Sequence, residues 1–210
     1  MSIFNKKTLI LIPMKDPEKS KTRLEGSLSS IDRAYLSRSL FKRTLMVLHK
    51  IVKDYPNLHL ELAVISASVE ISEISKYHST RFLLETGEES LNNATEIAKK
   101  WATLKNYESI CIFPADLANP DPLEIISFIK EADSDRFITI SPSSDLGTNA
   151  LHLSLPSSLE FQFGEKSFLK HLDNAERAGV KPKVLPLPSL KYDIDTSKDL
   201  RYLQGVDIEL

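Results

Sequence analysis

The stretch "SICIFPADLANPDPLEIISFIKEA", residues 109–132, decides the fold class because it contains one strand, one loop and one helix in succession. Its first part is a short apolar run that ends at Pro-Ala-Asp, which is typical of a buried strand. Prolines and acidic residues then occupy 120–124, where they favour the first turn of a helix. The stretch therefore predicts one strand–helix unit of an α/β protein.

The same alternation continues on both sides of this unit. Strands are predicted at 8–13, 59–66, 81–85, 136–142 and 149–155, strand-like segments at 183–195, and helices at 30–55, 89–105, 166–179 and 196–204. Strands alternating with helices imply right-handed βαβ units and a mostly parallel sheet. Two adjacent strands at 136–155 and the proline-rich region 182–193 interrupt the alternation. We therefore expect an α/β fold with a mixed, mostly parallel sheet flanked by helices, in a single domain over 1–210.

Composition excludes several classes of function. The net charge of −2 gives no electrostatic reason to expect nucleic acid or an anionic membrane as partner. No apolar run approaches the roughly 20 residues that span a bilayer. Cys111 is the single cysteine, so an internal disulfide is excluded, and its apolar neighbours indicate a buried thiol. We expect a cytoplasmic protein.

A basic loop follows the first predicted strand. Lys15, Lys19, Lys21 and Arg23 place four cations within nine residues, without the apolar period of a helix. Such a loop suits phosphate groups, with lysine as a point charge and arginine as a bidentate donor. A solvated basic loop explains the same residues equally well. The Walker pattern GxxxxGK[ST] is absent from the sequence.

Carboxylates occur at two further strand ends. Asp116 follows the strand at 109–113, where open α/β sheets bind ligands. Asp193 and Asp195 stand two residues apart, so on a strand both would face the same side. Hard oxygen ligands of this kind suit Mg²⁺ on nucleotide phosphates. A helix cap is the alternative for Asp195.

Two donor-rich turns complete the set of candidate site residues. In "DLGTNALHL" (145–153), Gly147 permits close backbone approach while Thr148 and Asn149 offer side-chain donors. In "FGEKSFLKH" (163–171), Gly164 and Ser167 precede a helix whose amino end favours an anion. Together the turns are suited to a small phosphorylated acid, although ordinary turn and cap residues explain each one alone.

The motifs occur in the order found in a known family. "IPMKDPEKSKTRL", "LN" at 91–92, "PADL", "GTNAL", "FGEKSFLKH" and "DIDTSKDL" resemble the phospholactate guanylyltransferases of coenzyme F-420 biosynthesis. The resemblance covers about residues 8 to 203, and "GTNAL" joined to "FGxxSFxxH" is its most specific part. It implies a Rossmann-like nucleotidyltransferase domain of the GT-A-like kind. The implied reaction transfers GMP from GTP to 2-phospho-L-lactate, phosphoenolpyruvate or 3-phosphoglycerate, releasing pyrophosphate.

The resemblance also implies roles for individual residues. Those implied to bind the phospho-acid are Thr148, Asn149, Gly164 and Ser167. Those implied to bind the nucleotide are Pro13, Lys15, Asn92, Pro114 and Asp116. The implied ligands of Mg²⁺ are Asp116, Asp193 and Asp195, and the implied catalytic cations are Lys15, Lys21 and Arg23. Since the attacking phosphate is already anionic, no general base is needed, and His171 is assigned a structural or substrate-shell role.

Two other functions stay open at this point. A nucleotidyltransferase for sugar phosphates or molybdopterin predicts a glycine-rich first loop, which the sequence lacks. A GTP-binding protein without turnover predicts loss of the acidic residues, yet Asp116, Asp193 and Asp195 are present. The choice of acid and the assembly state, monomer or homodimer, are also open.

Overall fold

The computed structural model describes residues 6–132 and 134–203. Its seven strands are β1 (Thr8–Pro13), β2 (Leu60–Ser66), β3 (Arg81–Leu84), β4 (Ser109–Ile112), β5 (Ile138–Pro142), β6 (Thr148–Ser154) and β7 (Lys183–Val184). Its five α-helices are α1 (Ser30–Asp54), α2 (Val69–Tyr77), α3 (Leu91–Leu104), α4 (Pro122–Lys130) and α5 (Ser167–Arg177). Short 3₁₀ turns connect several of these elements.

The strands form one sheet in the order β3-β2-β1-β4-β6-β5-β7. All neighbouring pairs are parallel except those made by β6, which is antiparallel to β4 and to β5. The expected mixed, mostly parallel sheet is therefore confirmed. Because β6 runs in the opposite direction, its first residues lie at the same edge as the last residues of β1 and β4.

Alternating side chains of the central strands build one apolar layer on each face of the sheet. Ile10 and Ile12 of β1 join a buried cluster with α1, α2 and α4. Leu9 and Leu11 point to the opposite face and join a cluster with α3 and α5. This period of two is what a strand buried on both faces requires. The helices thus cover both faces and leave the strand ends open to the loops.

The structure differs from the predicted elements at three places. Helix α2 was not predicted, because Ile71 is the only apolar side chain that it buries completely. The predicted last helix, at 196–204, is a 3₁₀ turn at Asp199–Tyr202, and residue 204 lies outside the described residues. The strand-like region 183–195 contains only the two residues of β7 and an isolated bridge between Leu117 and Asp193. Prolines at 186 and 188 explain this shortness, since each removes a backbone donor.

The extent of the domain stays a prediction, since residues 1–5, 133 and 204–210 lie outside the described part. Within 6–132 and 134–203, no helix is both long and apolar enough to cross a bilayer.

Candidate active site

A cavity of about 330 Å³ opens at the carboxyl ends of β1 and β4. The loop after β1, the loop after β3, the end of β4 and the first residue of β6 all contribute to its wall. Its lining includes Pro13, Lys15, Lys21, Glu85, Ser90, Pro114, Asp116, Thr148, Phe163 and Asp195. This is the edge where open α/β sheets bind their ligands. Seven of the residues predicted for the site therefore share one wall, namely Pro13, Lys15, Lys21, Pro114, Asp116, Thr148 and Asp195.

Lys21 is the best-buried cation of this wall. It stands between two 3₁₀ turns in the left-handed backbone region, at φ 57°, and its side chain is only 5% exposed. Its Nζ donates to Asp116 and, at 3.0 Å, to Oδ1 of Asp195. Burial opposes the charge, but the two carboxylates outweigh it and raise the pKa of Lys21 above its usual value. Lys21 is therefore a fixed positive charge beside Asp116.

The three candidate metal ligands come together through backbone pairing of two loops. The amide of Ile194 donates to the carbonyl of Asp116 at 3.1 Å. The amide of Ala118 donates to the carbonyl of Tyr192 at 2.8 Å. One carboxylate oxygen each from Asp116, Asp193 and Asp195 then lies within 4.8 Å of the other two. The predicted cluster forms, although 193–195 is not the strand that the prediction assumed.

The charge of this cluster fits a divalent cation. Burial, followed by the charges of Asp116 and Asp195, raises the pKa of Asp193 to about 7. The amide of Asn149 donates to Oδ1 of Asp193 at 3.1 Å and partly offsets this rise. Three carboxylates against the single buried charge of Lys21 leave an excess of negative charge. Such a set of hard oxygen donors suits Mg²⁺.

Asp195 is not the helix cap that the sequence left as an alternative. The cap position of the 3₁₀ turn at Asp199–Tyr202 is Lys198, which makes no side-chain capping bond. Oδ2 of Asp199 accepts from the amides of Asp195 and Thr196, at 3.3 and 2.7 Å. The carboxylate of Asp195 faces Lys21 and Arg23. Asp195 therefore belongs to the carboxylate cluster and not to a helix cap.

The other cations of the basic loop differ in their surroundings. Lys15 is exposed at the cavity wall and makes no ion pair with the residues that the structure describes. Arg23 is 71% exposed and reaches Asp195 at 3.4 Å. Lys19, which also lines the cavity, pairs with Glu89 at 3.4 Å. Of these three, Lys15 is best placed to meet a free phosphate.

Thr148, Ser167 and His171 form a buried hydrogen-bonded cluster at the β6 end of the cavity. The Ser167 hydroxyl donates to Oγ1 of Thr148 at 3.1 Å, and Nδ1 of His171 lies 3.0 Å from the same oxygen. The amide of Phe168 also donates to the carbonyl of Leu146, at 3.0 Å, which fixes α5 against the turn before β6. The two donor-rich turns of the sequence therefore meet in space.

Glycine is required at two positions around this cluster. A Cβ atom on Gly147 would lie 2.5 Å from Oγ of Ser143, closer than real contacts allow. Gly164 has φ 116°, in the region that favours glycine. Asp145 serves this turn internally, because its carboxylate accepts from Ser143 and from the amide of Gly147, which hold its pKa below the usual value against the effect of burial.

Two predicted binding residues have their amide groups engaged with protein groups. Oδ1 of Asn92 accepts from the amide of Phe163 at 2.7 Å, so Asn92 holds a cavity-lining residue in place. Asn149 bonds to Asp193, on the carboxylate side of the cavity. Direct contacts of Asn92 with nucleotide and of Asn149 with acid stay predictions.

Sequence reasoning missed Glu85 and Ser90. Both line the cavity, and Oε1 of Glu85 accepts from the amide of Ser90 at 2.9 Å. Glu85 directly follows β3, and its own amide donates to the carbonyl of Ser66 at 2.9 Å. The rule that located Asp116, a carboxylate at a strand end, also applies to Glu85 and could have found it.

A scan against protein-family models matches residues 8–205 to one described as "Guanylyl transferase CofC like". The chain belongs to this family. The match extends over almost all of the described residues, from β1 to the 3₁₀ turn at Asp199–Tyr202, and so includes every side chain of the cavity wall named above. The expected family is confirmed, and with it the class of nucleotidyltransferases.

Individual relatives agree with the family. The chain is 38% identical over 197 residues to 3-phospho-D-glycerate guanylyltransferase from Colwellia psychrerythraea, covering 94% of this chain and 91% of the relative. It is 30% identical over 207 residues to phosphoenolpyruvate guanylyltransferase from Rubrobacter xylanophilus, covering 98% of this chain and 95% of the relative. It is 29% identical over 194 residues to 2-phospho-L-lactate guanylyltransferase from Methanothermobacter thermautotrophicus, covering 92% and 82%.

Solved structures support the fold. The 4-diphosphocytidyl-2C-methyl-D-erythritol synthase from Anaerococcus prevotii superposes with a TM-score of 0.62 at 12% identity, over 95% of both chains. At this identity the similarity concerns the fold alone. The expected Rossmann-like nucleotidyltransferase fold is confirmed.

Proposed function

We propose that this chain transfers GMP from GTP to the phosphate of a three-carbon phospho-acid, as a step of coenzyme F-420 biosynthesis. The candidate acids are 2-phospho-L-lactate, phosphoenolpyruvate and 3-phospho-D-glycerate, the substrates named for its relatives. Identity is higher to the 3-phospho-D-glycerate enzyme, at 38% against 30% and 29%, which supports testing that acid first.

One observation carries the proposal: Asp116 and Thr148 line the same cavity. Asp116 belongs to the carboxylate cluster, which fits a cation that binds nucleotide phosphates. Thr148 is hydrogen-bonded to Ser167, the first residue of α5, and this pair of hydroxyl groups suits an anionic substrate. A nucleotide and a phosphorylated acid can therefore meet with their phosphates between these two residues.

The reaction follows from positioning and charge. An anionic oxygen of the acid's phosphate attacks the α-phosphorus of GTP, the bond from that phosphorus to the bridging oxygen breaks, and pyrophosphate leaves. Mg²⁺ held by Asp116, Asp193 and Asp195 would supply charge for the phosphate oxygens. Lys15 and Lys21 add positive charge from the loop after β1. Since the attacking oxygen carries no proton, holding the two substrates in line is the main task of the protein.

Guanine would occupy the end of the cavity near β3. Topology supports this placement, because the sheet order puts Glu85 beyond β1 on the side opposite to Thr148 of β6. Guanine presents two adjacent donors, N1–H and the N2 amino group. The carboxylate of Glu85 is an acceptor that complements both donors.

The location and assembly of the protein belong to the proposal as well. GTP is a cytosolic nucleotide, so we propose a cytoplasmic enzyme. A homodimer stays a prediction, which analytical ultracentrifugation of the purified chain would test.

The proposal is tested by measuring pyrophosphate release from GTP and Mg²⁺ with each of the three acids in a separate reaction. We expect release with at least one acid, together with a product whose mass equals GMP joined to that acid. A correctly folded protein that binds GTP but releases no pyrophosphate with any of the three would contradict the proposal.

A further inference from the structure

His171 is fully buried in α5 and is linked through Thr148 to the β6 end of the cavity. Both of its ring nitrogens have partners. The amide of Gln162 donates to Nε2 at 3.0 Å, and Nδ1 lies 3.0 Å from Oγ1 of Thr148. The ring of Phe163 packs edge-on against the imidazole of His171, with the two ring centroids 4.8 Å apart. Thr148 lines the cavity, so it is the contact through which the buried imidazole reaches the cavity wall.

The hydrogen bonds of His171 determine which nitrogen carries its proton. A backbone N–H can only donate, so Nε2 must be the nitrogen with the free lone pair. In neutral imidazole the proton is then on Nδ1, which donates to Thr148. Burial, assisted by the charge of Lys170, lowers the pKa of His171 to about 4, so that the ring is neutral near pH 7.

This arrangement leaves one hydrogen atom of Thr148 available. A hydroxyl oxygen has two lone pairs and one hydrogen. The lone pairs of Thr148 accept from Nδ1 of His171 and from the hydroxyl of Ser167. The hydrogen must therefore be donated elsewhere, and Thr148 lines the cavity.

We infer that His171 is a positioning residue that orients the Thr148 hydroxyl as a donor to the phosphate of the acid substrate. This inference rests on the proposed function, because it requires the acid to bind at this end of the cavity. It assigns the polar contacts of His171 a role in affinity for the acid and none in affinity for GTP.

Two amide variants separate the two ring nitrogens. In His171→Asn the amide nitrogen takes the place of Nδ1 and still donates to Thr148, whereas in His171→Gln the amide takes the place of Nε2 and that donor is lost. We expect His171→Gln to raise the KM for the acid about tenfold, the size of one weakened hydrogen bond to a charged group. His171→Asn should raise it less than about threefold, and the KM for GTP should change in neither variant.

His152→Gln is the matched control. His152 is also a fully buried histidine, but its Nε2 bonds to Ser109, between β6 and β4, away from the cavity. It should lower stability without changing the KM for the acid. In a Thr148→Val background, His171→Gln should add no further increase in that KM, because the hydroxyl that it orients is gone.

The unmodified enzyme offers a test that does not depend on how the variants fold. Long-range ¹H–¹⁵N correlation spectra should show the His171 proton on Nδ1. A proton on Nε2, an equal rise of both KM values in His171→Gln, or additive effects in the double variant would overturn the inference. Wild-type enzyme that turns over none of the three acids would instead contradict the proposed function, so the two failures are distinguishable.

Discussion

Lys21 and Asp116 form an ion pair that joins the loop after β1 to the end of β4 at the floor of the cavity. The Lys21 side chain is 5% exposed and that of Asp116 is 26% exposed. Because Asp116 also belongs to the carboxylate cluster, Lys21 competes with any cation that this cluster binds. The ion pair therefore connects the conformation of the basic loop to occupancy of the candidate metal site.

Replacing Asp116 with Asn should lower kcat at least about 100-fold, because it removes metal charge next to the transferring phosphorus. The fold should persist, since the amide is isosteric with the carboxylate. The matched control is Asp121→Asn, at the N-cap of α4, where the side chain accepts from the amides of Leu123 and Glu124. That variant should keep its activity, and its free energy of unfolding should fall by about 1 kcal/mol or less. Equal kcat values for Asp116→Asn and wild type would remove Asp116 from the metal site.

Replacing Lys21 with Met should destabilise the metal-free protein, because Asp116 and Asp195 lose their buried partner. We expect the free energy of unfolding to fall by about 1–3 kcal/mol, which lowers Tm by about 2–12 °C. Mg²⁺ should then raise Tm more in the variant than in wild type, since the ion no longer competes with an ammonium group. Differential scanning calorimetry with and without Mg²⁺ measures both effects, and identical Mg²⁺ shifts would show that the ion binds elsewhere.

Replacing Glu85 with Gln should reduce the preference for GTP over ITP, which lacks the N2 amino group. We expect kcat/KM with GTP to fall about tenfold, while kcat/KM with ITP changes less. Glu88→Gln, in the same loop, is the matched control and should leave both values unchanged. A uniform loss with GTP and ITP would place the guanine edge away from Glu85.

Acid should destabilise the protein through its buried histidines. Burial, together with the nearby charge of Lys6, lowers the pKa of His152 to about 3, well below the ordinary value of 6.5. The unfolded chain therefore binds the extra proton first, and stability is lost as pH falls below about 6.5 toward about 3. At pH 5, which is about 1.5 units below the pKa of histidine in the unfolded chain, this histidine lowers the free energy of unfolding by about 2 kcal/mol.

Urea denaturation of wild type and His152→Gln at pH 7.5 and pH 5 measures this contribution. The comparison of the two proteins is necessary because Asp193, whose pKa is raised, contributes with the opposite sign in the same range. Between pH 7.5 and pH 5, the free energy of unfolding of wild type should fall by about 2 kcal/mol more than that of the variant. Equal losses would mean that His152 is protonated in the folded protein.

Where a local pattern fixes the structure, the sequence predicts the sheet and the placement of several candidate residues at one edge of it. The apolar run of β1 and the carboxylate that follows β4 needed only periodicity and the rule that ligands bind at strand ends. Asp193 and Asp195 lie beside Asp116, as predicted, but not for the reason that predicted it. Backbone pairing with 116–118, not alternation along a strand, brings them there.

Contacts between distant segments are what the sequence could not show. The bond between Asn92 and Phe163 joins residues 71 positions apart, and that between Thr148 and His171 joins two elements with separate patterns. Neither pair has a local signature. Helix α2 escaped prediction for a related reason, because it buries so little apolar surface that its period is weak.

The most direct test of guanylyl transfer follows the oxygen atoms of the acid. The acid is prepared with ¹⁸O in its phosphate group and incubated with the enzyme, GTP and Mg²⁺, and both products are analysed by mass spectrometry. If the acid's phosphate attacks the α-phosphorus, all of the label should be in the guanosine diphosphate-linked acid and none in pyrophosphate. Label in pyrophosphate, or GTP cleavage without any linked product, would contradict the proposed reaction.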